Sequence, residues 1–110
     1  MWFLTVRAVP KPESPLALER GVAYVSCWVD FRLQDGAELL AKYYIDQAGW
    51  LPEEVEDAVW VEGDDYAEDR KNALYYSEAE SEGATFVFHE TRATGQGEKS
   101  PTGGTPLAKV

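Results

Sequence analysis

Alternate residues from Ala23 to Phe31 (Ala23, Val25, Cys27, Val29, Phe31) are all apolar, and this row constrains the fold more than any other feature. A period of two marks a β-strand with one buried face. Val22 to Leu33 is therefore expected to be a strand whose Ala23–Phe31 row is core. Trp2 to Val9 repeats the pattern, with Trp2, Leu4, Val6 and Ala8 on one side. Pro10, Pro12 and Pro15 then break any ladder, because proline has no N–H to donate, and a loop is expected up to Gly21.

What covers the apolar row is written in the next stretch. Two helices are expected, over about residues 36–48 and 66–82, with matching punctuation. The first opens at Asp35 with Glu38 three residues on, the second at Asp65 with Glu68 three residues on. In each, the aspartate can cap free backbone N–H groups while the glutamate reaches back, and both acids sit at the positive end of the helix dipole. Gly49 and Gly83 follow the last helical residues, where a left-handed turn suits glycine. With Gly49 just past the helix, Ile45 and Trp50 are the pair expected to touch across the turn. The first helix carries Ala37, Leu40, Ala41, Tyr44, Ile45 and Ala48 on one stripe; the second is less clean, with Ala73, Leu74, Tyr76 and Ala79 inward.

A short strand is expected at 58–62 and a last one at 84–91. The order β-β-α-β-α-β implies an α+β domain over residues 1–91. Its expected architecture is a four-stranded, mainly antiparallel sheet with two helices on one face, ferredoxin-like in layering though not in strand order. Residues 92–110 hold four Gly, two Pro and three Thr and no aromatic, the composition of a flexible tail. A faint internal echo at an offset of 32 carries Trp28-Val29-Asp30 onto Trp60-Val61-Glu62 and Tyr43-Tyr44 onto Tyr75-Tyr76.

With both helices on the Ala23–Val29 side, the opposite sheet face carries Phe3, Tyr24, Trp28, Trp60, Val87 and His89. Large aromatics mixed with polar residues resemble an interface rather than a solvated face. A one-residue slip in one strand would instead turn those rings into core.

Charge narrows the partners. There are 20 Asp and Glu against 10 Lys and Arg, a net charge of −10. Residues 53–91 alone hold 13 carboxylates and two bases. Such a chain is expected to bind neither nucleic acid, which needs clustered cations, nor an anionic membrane surface. No window is long and apolar enough for a membrane helix, and Arg7 interrupts the opening apolar run before a signal-peptide core could form. The single Cys excludes an intrachain disulfide and Cys-rich zinc sites, so a cytoplasmic location is expected.

Candidate chemistry is sparse. His89 is the only His and sits beside Glu90, a pair that can move protons near neutral pH. An ordinary strand-end imidazole is the simpler reading. Cys27 lies in the apolar row and reads as a structural thiol. Nine carboxylates crowd residues 53–69, and Glu62, Asp64 and Asp65 around Gly63 offer hard oxygens for a cation. A solvated acidic rim, or a surface that meets a basic partner, is the stronger reading. No catalytic residue, metal ligand or cofactor is therefore assigned.

The expected function is that of a non-enzymatic protein-binding module or homodimer of inhibitor, immunity or mimic type. Trp28, Trp60, Tyr24 and His89 supply its aromatic face, and Glu62 and Asp64 belong to its acidic rim. The alternative is a small enzyme or ligand-binding protein with a pocket at a dimer sheet face, using His89 and a nearby carboxylate.

Overall fold

Four long strands pair antiparallel throughout: β1 (Trp2–Pro10), β2 (Arg20–Val29), β3 (Trp50–Trp60) and β4 (Ala84–Arg92). The computed structural model describes residues 1–13, 20–92 and 105–106. A two-residue strand, β5 (Thr105–Pro106), pairs with Val87 and Phe88 of β4, and the sheet order is β3-β1-β2-β4-β5. The expected flexible tail otherwise lies outside the described residues, as does most of the loop before β2. Helix α1 (Gln34–Gln47) joins β2 to β3, and α2 (Arg70–Glu82) joins β3 to β4.

The apolar rows are core as expected. Leu4, Val6, Ala8, Ala23, Val25, Cys27 and Val29 are fully buried, and Ala37, Ala41 and Ile45 of α1 pack on them with Phe86 and Phe88 of β4. Phe31 is the exception. The strand ends at Val29, and Phe31 is 42% exposed, its ring lying against Gly36 of α1. Gly49 closes α1 with φ 96° and donates to the Asp46 carbonyl at 3.0 Å, and Ile45 and Trp50 both enter the core around it.

Four expectations are corrected. First, the two helices do not share a face. Neighbouring residues on a strand point to opposite sides. Phe3, Trp28 and Val87 therefore oppose the α1 core, and they pack with Ala79, Tyr75 and Tyr76 of α2. The molecule has three layers, α1 on one side of the sheet and α2 on the other, so the ferredoxin-like layering does not hold. The reason lies in the connections. β2 and β3 are both antiparallel to β1, so α1 joins parallel strands, where handedness fixes the face. β3 and β4 run antiparallel, so α2 is free to cover the second apolar face.

Second, β3 starts at Trp50 rather than at residue 58. Pro52 and four carboxylates disguise it, but β3 is the sheet edge, where proline and charge are tolerated. Two register shifts against β1 leave Glu53 and Glu56 as the extra, bulged residues.

Third, Trp60 is not on the Trp28 face. It pairs with Trp2, whose side of β1 is the α1 side, and the two indoles meet edge to face at 5.5 Å.

Fourth, the helix starts move. Leu33 precedes α1 and makes no side-chain cap, whereas Asp69 caps α2 by accepting from the Asn72 N–H. Asp65 instead serves the 3-10 turn at Gly63–Tyr66. There the Glu62 N–H donates to the Asp65 carboxylate at 2.8 Å, and the Glu62 side chain accepts in return. On α2, Leu74 turns outward at 66% exposed while Tyr75 turns in.

Candidate functional site

The α2 face of the sheet is only partly roofed. Register puts Phe3, Trp28 and Thr85 in one row across β1, β2 and β4, then Thr5, Ser26 and Val87, then Arg7, Tyr24 and His89. Helix α2 packs Tyr75, Tyr76 and Ala79 over Trp28 and Val87, and its first turn, at Lys71 and Asn72, comes beside His89 of the third row. A cleft of about 350 Å³ opens between this turn and the sheet. Its floor is Phe3, Trp28, Val87, Ser26 and His89; Tyr66, Lys71, Asn72 and Tyr75 form its roof and wall.

Trp28 is 3% exposed and thoroughly engaged. Its ring lies 4.9 Å from Phe3 and 5.1 Å from Tyr75, and its Nε1 donates to the Tyr66 hydroxyl at 3.0 Å. It is part of the floor of the cleft and is not presented for insertion into another molecule. His89, registered against Tyr24, holds Nε2 3.5 Å from Ser26 Oγ, the outer limit of a hydrogen bond. Burial, and then the nearby Lys71 ammonium, lower its pKa below the ordinary 6.5. Glu90, the expected carboxylate partner, is registered against core Ala23 and so belongs to the opposite face. Tyr24 is 38% exposed and hydrogen-bonds Arg7; that bond, and then Glu53, which also pairs with Arg7, push the guanidinium pKa up.

At the β3 edge a second group gathers. Trp60 is 43% exposed, and its Nε1 donates to Glu62 Oε2 at 2.5 Å. The indole behind it is fixed in turn, since Trp2 Nε1 donates to the Arg32 carbonyl at 3.0 Å. Glu53, Glu54, Glu56 and Asp57 along β3, and Glu62 and Asp64 beyond it, are all exposed. The structure thus brings Trp60 to Glu62 and Tyr24 to His89, and it separates Trp60 from Trp28 by the thickness of the sheet.

Sequence reasoning missed Lys71, Asn72, Tyr66 and Tyr75 as neighbours of His89. Arg70-Lys71, the only bases in a long acidic stretch, were the one available signal. Cys27 is fully buried, and burial pushes its thiol pKa up, which removes the reactive thiolate. Among the described residues no three His, Cys, Asp or Glu side chains converge as metal ligands. No helix among them is long and apolar enough to cross a membrane. The chain matches no protein-family model, no curated protein and no solved structure.

Proposed function

We propose that this protein is a non-catalytic binding module that meets a basic protein partner along the β3 edge, with Trp60 as anchor. The observation that carries this reading is an exposed, immobilised tryptophan set among exposed carboxylates on one sheet edge. Tryptophan gives large contact area at small entropic cost when its ring is already held, and Trp60 is held by Trp2 and Glu62. Leu51 and Val59, both at least 40% exposed, sit on the same strand but face the α2 side, registered against Val9 and Phe3.

The carboxylates of β3 contribute orientation and encounter rate more than affinity. Pro52 and the two bulges blunt the free edge against strand addition, so a partner reads side chains rather than backbone. An enzyme using His89 with a carboxylate is less well supported, because none of the described residues lining the cleft is acidic.

The test is cross-linking capture with three baits: the wild-type chain, Trp60→Ala, and a variant with Glu53, Glu54, Glu56 and Asp57 amidated to Gln and Asn. A basic protein held by the first and lost from the other two is expected. The purified pair should lose about 2 kcal/mol or more of affinity on Trp60→Ala, and its on-rate should fall with salt. Retention of the same proteins by all three baits would overturn the reading.

A further inference from the structure

The cleft under α2 is distinct from the β3 edge, and its composition is unlike the rest of the surface. In a chain with net charge −10, the described residues lining it include one cation, Lys71, and no carboxylate. Lys71 forms no ion pair with another described residue. Phe3, Trp28 and Tyr75 form an aromatic cluster along the cleft, with successive ring centroids 4.9 and 5.1 Å apart and ring planes tilted by 54° and 38°. Trp28 Nε1, the polar atom that could spoil an apolar cluster, is satisfied from within by Tyr66.

Beside these rings on the same sheet face, Ser26 Oγ and His89 Nε2 stand 3.5 Å apart, too far to satisfy each other well. Both retain capacity for a third polar atom placed between them and Lys71. The volume, about 350 Å³, is at the small end of ligand sites.

We propose that this cleft binds a small aromatic monocarboxylate. Its ring lies against the Phe3–Trp28–Tyr75 cluster, its carboxylate pairs with Lys71, and Ser26 and His89 supply hydrogen bonds. The aromatic cluster selects an apolar ring, and the Lys71 ammonium, in no ion pair with another described residue, selects an anion. The strongly negative molecule opposes ligands of higher charge, such as a nucleotide, which would bring several like charges to one lysine. Ligand size follows from the volume, which admits one or two fused rings and no long chain.

The experiment titrates indole-3-acetate, and separately its neutral amide, into the 110-residue protein. The readout is the imidazole carbon-bound proton resonance of His89, unambiguous because the chain holds one histidine. A saturable shift is expected with the acid, at an affinity about tenfold or more above that of the amide, the scale of a charge-assisted contact. Lys71→Met, at an exposed helical position, should abolish that preference while leaving amide binding in place. Ser26→Ala should weaken both probes. The proposal is overturned if the acid gives no saturable shift, if acid and amide bind the wild-type chain alike, or if Lys71→Met keeps the preference. Trp60→Ala should leave the titration unchanged, which keeps this result separate from that at the β3 edge.

Discussion

A half-buried imidazole beside an ammonium loses solvation and meets repulsion when it takes up a proton, and His89 is placed in that way. Its folded-state pKa therefore lies below 6.5, whereas the unfolded chain titrates near that ordinary value. Between the two values the unfolded state binds more protons, so this group's contribution to stability rises with pH through the window. It is fully present above 6.5 and lost as pH falls to the folded pKa. The expected result is a His89 resonance that titrates with a midpoint below 6.5, moved upward by Lys71→Met. Denaturant unfolding of wild type against His89→Gln should show the wild-type chain losing relative stability on acidification through that window. A midpoint at or above 6.5 would contradict the burial of His89 and the placement of Lys71 beside it. His89 stood out in the sequence as the only His, but its neighbourhood did not. Sequence adjacency offered Glu90, and strand alternation sends adjacent residues to opposite faces. The true neighbour, Lys71, arrives from a helix whose docking face no local pattern specifies.

At the level of elements, the turn from α2 into β4 rests on Gly83, with φ of 100°. Its N–H donates to the Ala79 carbonyl at 2.7 Å, and its own carbonyl accepts from Asp30 N–H at 3.0 Å, tying the helix end to the end of β2. A Cβ built at Gly83 meets nothing within 4 Å, so Gly83→Ala carries no clash; only the left-handed backbone penalises it. A loss of about 1 kcal/mol is expected on denaturant unfolding. An unchanged midpoint would mean that this turn readjusts without strain. Both glycine stops were legible because only this residue type suits the conformation they require. The strands β1, β2 and β4 were legible from alternation. The first half of β3 was not, because an edge strand bearing Pro52 and a row of carboxylates has no apolar period to detect. The bulges at Glu53 and Glu56 hide the face of Trp60 for the same reason: each inserted residue shifts the parity on which face assignment depends. The echo between Trp28 and Trp60 likewise has no structural counterpart, since its two tryptophans occupy opposite sides of the sheet.

For the molecule as a whole, charge distribution decides between a second copy and a different partner. An isologous contact through the β3 edge would set Glu53, Glu54, Glu56 and Asp57 against the same residues of the copy. Little apolar surface offsets that repulsion at low ionic strength, because Trp60 is only about half exposed and Leu51 and Val59, equally half exposed, face the other side of the strand. A basic partner turns the same carboxylates from an obstacle into a guide. The chain is therefore expected to scatter as a 12.3 kDa monomer at low salt across all accessible concentrations. A monomer there leaves the edge unoccupied for a cationic surface, and adding such a partner should raise the mass in a salt-sensitive way. A dimer already formed at low salt would require a contact that avoids the acidic edge, and the outer stripe of α1, with Leu39 69% and Tyr43 56% exposed, would be the surface to mutate next. A dimer that appears only as salt is added would mean that screened carboxylates allow Trp60 to meet its own copy, and the edge would then be a self-association site restrained by charge.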